Sequence, residues 1–226
     1  IGHEDTSLSD FLGEGIENIC TNLRQLVGPA RQRYMDTVRP VLDALSRRHP
    51  LLRRHSTNVT LYSMELARLI SLRPEEQDAL QYAALFHDIG HVTTPPTILN
   101  KRGDLTPEER EVVQRHVQTS ETLMEELALS PLEIAYVRHH HERYDGQGYP
   151  DGLVGEDIPV GARVLAIADA YDAMTSERSY RRRLPEVEAL EELQGNAGRQ
   201  FDPKLVQLFV RSRETPAPVL DKLAQE

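Results

Sequence analysis

Five histidines and two aspartates interrupt stretches that otherwise read as buried helix: His55, the pair His87-Asp88, His116, the pair His140-His141, and Asp169. Imidazoles and carboxylates are costly to bury unless they are tied to partners or to a metal. A fold that accepts this chain must therefore hide the apolar residues around these side chains while giving the seven polar groups one another, or ions, as partners. If the seven converge, they are enough to hold two divalent ions.

The surrounding sequence predicts helices. Aromatic residues make up only 5% of the chain and period-2 alternation is missing over useful lengths, so strands are not expected. Leu12, Ile16, Ile19, Leu23 and Leu26 form one apolar stripe, and after Gly28-Pro29 a second runs through Met35, Val38, Leu42 and Leu45. These stripes predict a helical N-terminal extension over residues 1–50, packed on its own domain or forming a homodimer. Pro74-Glu75-Glu76 opens a helix leading into the His-Asp pair, and Pro159 opens the helix carrying Asp169. Thr106-Pro107-Glu108-Glu109 and Ser130-Pro131-Leu132-Glu133 read as capping boxes with proline at the first helical position. Leu184-Pro185 and Asp202-Pro203 start two more helices, residues 145–152 form a turn-rich loop, and residues 214–226 a tail. The expected fold class is all-α, with the main domain over residues 51–213.

Composition narrows the function. With 39% hydrophobic and 27% charged residues the 226-residue chain reads as soluble and globular, and no stretch approaches the roughly 18 uncharged apolar residues of a spanning helix. The single cysteine, Cys20, rules out an internal disulfide and fits a reducing cytoplasm. A net charge of -10 argues against polymeric nucleic acid, whose binding needs broad phosphate neutralisation. A small anionic substrate stays compatible if positive charge is local. The chain starts at Ile1, consistent with a piece of a longer protein carrying a sensor upstream.

A carboxylate can bridge two ions, which a neutral imidazole cannot. The economical arrangement is one site from His55, His87, Asp88 and Asp169, and a second from Asp88, His116, His140 and His141. Mixed nitrogen and oxygen ligation favours iron or manganese, with zinc, cobalt or nickel as alternatives, over magnesium or calcium. Two divalent ions carry more charge than the two aspartates cancel, which matches an anionic ester better than a neutral amide. Taken singly, each piece has a plainer reading: His55 or His116 as a solvated helix histidine, and His139 to His141 as a surface cluster.

HDIG at 87–90, HHERYDGQGYP at 140–150, ARVLAIADAYDAMTSERSY at 162–180 and GRQFDP at 198–203 resemble the HD-GYP family of cyclic-di-GMP phosphodiesterases. The likeness covers about residues 51–211 and implies an HD-domain helical bundle whose metal ligands fall on the seven positions above. It implies hydrolysis of cyclic-di-GMP to linear pGpG, and onward to GMP, by a hydroxide bridging a binuclear centre at Asp88. Arg178 and Arg181 fall where relatives contact substrate, a task suited to the guanidinium fork. Asp172, one turn after Asp169, falls where it would orient a ligand or the attacking water. Tyr149 and Pro150 shape the pocket lip or, with Gly148, a surface for a signalling-protein partner.

The chain also departs from that family. His91 stands where lysine is usual after HDIG; if it keeps the phosphate contact, its charge should fade as pH rises through neutrality, and turnover with it. Pro96, Ser120 and Asn58 replace aspartate, glycine and arginine, and Leu51 stands where some members carry a glutamate for a third metal, so two ions are expected. These departures keep open a metal-bearing but weakly active or inactive sensor of the nucleotide, and a phosphodiesterase for another cyclic dinucleotide.

Overall fold

The computed structural model describes residues 50–176 and 183–214. The stripes predicted within residues 8–48, Cys20, Arg178, Arg181 and the tail from residue 215 lie outside the described residues. Helices make the architecture: α1 (Pro50–Leu69), α2 (Pro74–Phe86), a 3-10 turn (Ile89–Thr93), α3 (Pro96–Leu99), α4 (Pro107–Gln114), α5 (His116–Glu126), α6 (Pro131–Arg138), a second 3-10 turn (Gly155–Asp157), α7 (Val160–Thr175), α8 (Glu186–Gly195) and α9 (Pro203–Glu214). Among the described residues, extended pairing is limited to two isolated bridges, Asp145 with Val154 and Ala197 with Phe201. None of the described helices is long and apolar enough to cross a membrane.

Local chemistry sets the helix starts. Thr106 accepts from the Glu109 N–H while Glu109 accepts from the Thr106 N–H, and Ser130 and Glu133 repeat the exchange. Each box satisfies donors that a helix cannot pair internally. Asp202 caps α9 by accepting from the Lys204 and Leu205 N–H groups, and its other oxygen takes Arg163 Nη1 at 2.6 Å.

Helix α7 is the axis of the fold, with α1, α2, α6, α8 and α9 packed around it. Its Ala162, Val164, Leu165, Ile167 and Ala168 are fully buried, as expected for a helix surrounded by others. Leu66 of α1, Leu80 and Phe86 of α2 and Phe209 of α9 fill the space between, each contributing about 1.5–3 kcal/mol by burial. Tyr62, Tyr171 and Phe209 meet edge to face, with Arg213 over all three rings and paired to Glu65. That cluster seals α9 onto α1 and α7. Against this frame the ends of α2 and α6, the start of α5 and the flanks of α1 and α7 deliver the seven polar residues to one place.

Candidate metal centre

The His-Asp pair sits where α2 stops. Phe86 is the last helical residue, His87 is the cap, and Asp88 (φ −99°, ψ 8°) turns the chain into the 3-10 segment. On a continuous helix the two side chains would diverge by about 100°; the break lets both face the same centre. His116 opens α5, and His140 and His141 follow the end of α6. His55 comes from α1 and Asp169 from α7.

These side chains form two groups on the two oxygens of Asp88. Asp88 Oδ2 lies 3.5 Å from His55 Nε2 and 3.4 Å from His87 Nε2. Asp88 Oδ1 lies 3.6 Å from His116 Nε2. The donor atoms of His55, His87 and Asp169 all lie within 4.8 Å of one another, as do those of His116, His140 and His141. Separations of 3.4–3.6 Å are long for hydrogen bonds. They match two ligands sharing one ion, which at bonds of about 2.1 Å and tetrahedral angles stand about 3.4 Å apart.

The imidazoles are wired for that role. The Nδ1 atoms of His87, His116 and His140 face the Ala84, Val113 and Val137 carbonyls at 2.9, 2.7 and 2.5 Å. A carbonyl only accepts, so each Nδ1 carries the proton and each Nε2 offers a lone pair. The Nε2 atoms of His116 and His140 are buried without a hydrogen-bond partner. Two orphaned buried lone pairs beside a carboxylate are a cost unless a cation takes them up. The residues present therefore fit divalent metal ions.

The charges point the same way. Burial opposes ionisation of Asp88, but the surrounding imidazoles of His87, His91, His55 and His116 hold its carboxyl well below the usual range. Asp169 is likewise opposed by burial and lowered by the hydrogen bond from His55. Burial is the main reason that His140 is pushed well below an ordinary imidazole and His141 down to about 4. His55 differs: burial disfavours its charge, yet Asp169 and Asp172 together push it up to about 10. Its Nε2 proton must leave before that nitrogen can bind an ion.

Asp172 is buried beside His55. It is 1% exposed, which excludes a surface aspartate, and its Oδ2 accepts from His55 Nδ1 at 2.6 Å. Its Oδ1 accepts from Asn58 Nδ2 and from Ser176 Oγ, both at 2.7 Å. Asp172 thus holds the ring of His55, a candidate ligand, and both of its oxygens are engaged by protein groups. Asp172→Asn should weaken uptake of the ion at His55 by about 10–100-fold, read by calorimetric metal titration. An unchanged affinity would mean that the carboxylate is only filling space. Asn58 and Ser176 also line a cavity of about 930 Å³, bounded further by Arg54, Tyr62 and Arg183.

His91 departs furthest from expectation. It is 7% exposed, stacked on His116 with ring centroids 4.1 Å apart, and its Nδ1 lies 3.0 Å from Thr94 Oγ1. Burial pushes it down to about 4 against the pull of Asp88, with His116 and His87 adding to the fall. That direction opposes the charge near neutrality expected of a phosphate-contacting His91. Pro96 is exposed and opens α3. Ser120 Oγ donates to the His87 carbonyl and accepts from the Gly90 N–H, both at 2.9 Å.

The loop over residues 145–152 is tied down by residues that local pattern did not single out. Arg138 holds Asp151 through Nε and Nη2 at 2.8 and 2.9 Å, and His139 Nε2 adds 2.9 Å to the same carboxylate. Glu142 Oε1 accepts from the Asp151 and Gly152 N–H groups. At Gly148 a Cβ would come within 2.3 Å of the Arg143 nitrogen, so only glycine allows this approach. The result is Tyr149 stacked on His141, ring centroids 5.0 Å apart. His139 is thereby separated from its two neighbours: it secures the loop, while His140 and His141 face the centre.

Fold and site define a helical domain built around a carboxylate-centred His/Asp cluster that fits divalent ions. The chain belongs to the HD-domain family, whose model matches residues 39–205. It is 34% identical over 201 residues to the 3'3'-cGAMP-specific phosphodiesterase 2 of Vibrio cholerae, covering 88% of this chain and 38% of that protein. It is 39% identical over 150 residues to the cyclic di-GMP phosphodiesterase response regulator RpfG of Xanthomonas campestris, covering 66% of this chain and 40% of the relative. The chain thus spans about two fifths of the length of these curated relatives. Among solved structures, Bd1817, a HDG"Y"P protein from Bdellovibrio bacteriovorus, aligns with a TM-score of 0.63 at 18% identity, covering 94% of this chain and 75% of that one, which speaks for the fold.

Proposed function

We propose that this domain hydrolyses a phosphodiester bond of a cyclic dinucleotide, cyclic-di-GMP first, to linear pGpG and onward to GMP. The reading rests chiefly on one observation: two groups of imidazoles meet on the two oxygens of one carboxylate, Asp88. The same reading assigns one ion to His55, His87, Asp88 and Asp169 and another to Asp88, His116, His140 and His141, with iron or manganese favoured. Divalent ions held there would lower the pKa of water from 15.7 to about 7 and offset the charge of an in-line phosphodiester displacement.

The chain's own residues set the stage for that chemistry. Asp172 holds the His55 ring, carbonyls of α2, α4 and α6 hold three others, and Tyr149 stacks on His141 as one wall of the site. Ser120, a buried hydroxyl beside the cluster, is engaged at both its donor and its acceptor, so it is not offered as a nucleophile. Arg178 and Arg181 are assigned to substrate phosphate or base by family resemblance; their replacement by alanine should raise KM more than it lowers kcat.

A second substrate, 3'3'-cGAMP, is favoured by the longer match to the Vibrio cholerae relative named for it. The test is to incubate metal-loaded protein with each dinucleotide and separate the linear products by chromatography, with Asp88→Ala as control. Faster opening of cyclic-di-GMP supports the first reading, and faster opening of 3'3'-cGAMP replaces it with the second. Binding of either without turnover, across several metals and pH values, would leave a sensor.

A further inference from the structure

We propose that His91 is itself a metal ligand, on the Oδ1 side of Asp88. The proposal rests on the reading of this centre as metal-binding but not on the identity of the nucleotide. Its basis is the match between His91 and the ligands already assigned. His91 Nε2 stands 3.7 Å from Asp88 Oδ1, beside the 3.6 Å of His116 Nε2 from that same oxygen. The donor atoms of Asp88, His91 and His116 lie within 4.8 Å of one another, the same closeness that joins the two groups described above.

The 3-10 turn makes this approach possible. The His91 N–H donates to the Asp88 carbonyl at 3.0 Å, so the chain folds back and returns the ring towards the Asp88 carboxylate. The Thr94 N–H donates to the His91 carbonyl at 3.0 Å, which sets the Thr94 hydroxyl against His91 Nδ1. A hydroxyl can accept from Nδ1–H, leaving the Nε2 lone pair directed to the carboxylate, as in His87, His116 and His140. Stacking on His116 at an interplanar angle of 18° holds the ring in that pose.

A substrate contact fits these facts less well. The ring is buried, and a phosphate reaching Nε2 would meet the Asp88 carboxylate at the same nitrogen. A lone pair and a carboxylate oxygen 3.7 Å apart repel unless a cation lies between them. As a ligand, His91 would occupy on that ion a position otherwise left to water or to a phosphate oxygen, so the ion would bind more tightly and be less open.

The test is metal binding, read without substrate. The metal-stripped 226-residue chain is titrated with Mn(II) by calorimetry, and the Co(II)-loaded protein is followed by its visible absorption. His91→Ala and His91→Lys should each weaken one of the two ions at least about tenfold and change the Co(II) spectrum, while His91→Glu, which restores a ligand atom, should recover most of the affinity. Unchanged affinity and spectrum in His91→Ala would overturn the proposal, as would unchanged affinity with a raised KM for the nucleotide, the mark of a phosphate contact. If His91→Ala fails to fold, as judged by circular dichroism, His91→Gln keeps the ring's approximate volume without an equivalent donor and decides by the same two readouts.

Discussion

Asp88→Asn is expected to lower turnover at least about a thousandfold while leaving a folded protein. Three factors of ten correspond to about 4 kcal/mol of barrier, within the several kcal/mol that metal-assisted charge stabilisation supplies. The carboxylate serves both groups at once, Oδ2 towards His55 and His87, Oδ1 towards His116 and His91. An amide of the same shape has one carbonyl oxygen and must turn its NH2 towards the other group, where it presents hydrogens to lone pairs that await a cation. One ion should be lost outright and the other weakened, visible as a fall in metal content after gel filtration. Folding is a separate matter, because His55 keeps Asp169 and Asp172 as partners after the change. The melting temperature of the metal-free variant should therefore stay within a few degrees of the parent. A variant that retains both ions and loses turnover would assign Asp88 to proton transfer and not to bridging.

What could be read from the sequence follows from how local each signal is. The helix starts at Pro107, Pro131 and Pro203 are written within four residues, because capping is an exchange between a side chain and backbone N–H groups two or three positions away. The identity of the candidate ligands was legible for a different reason: imidazoles and carboxylates in apolar stretches need partners. That all seven reach one centre depended on a helix break at His87 and on the packing of α1, α5 and α7, which no local pattern encodes. His91 shows the cost of that gap. In sequence it stands where a phosphate-contacting lysine is usual; only the return of the 3-10 turn against α5 reveals its burial. Arg138, Asp151 and Glu142 escaped notice because surface charges are common and their pairing spans a loop. Ser176 was equally silent, and Asn58 stood out only as a replacement for arginine, since the contact each makes here is with Asp172.

The largest effect on folding is expected at Gly90, and its cause is steric. A Cβ built on Gly90 would stand 2.0 Å from the His116 carbonyl oxygen, 2.7 Å from the Ser120 nitrogen and 2.8 Å from the His116 carbonyl carbon. All three are backbone atoms of α5, so no side-chain rotation relieves the clash. Gly90→Ala must push the first turn of α5 away by the better part of an ångström or more. Overpacking in a core costs about 1–3 kcal/mol, and contact with backbone places this substitution at the upper end, about 3 kcal/mol. For a chain of this size that is a fall in melting temperature of about 6–12 °C. Because His116 opens α5, the displacement also moves a ligand, and a misplacement of about 1 Å can cost about a hundredfold in rate. Ser120→Ala separates the two contributions: it removes the bridge between the His87 carbonyl and the Gly90 N–H without adding an atom. Leaving that buried N–H unpaired should cost about 1–3 kcal/mol, with His116 still in place and metal affinity nearly intact. Equal losses of metal affinity in the two variants would show that the serine bridge, and not the close approach of the two backbones, holds α5 against the His-Asp turn.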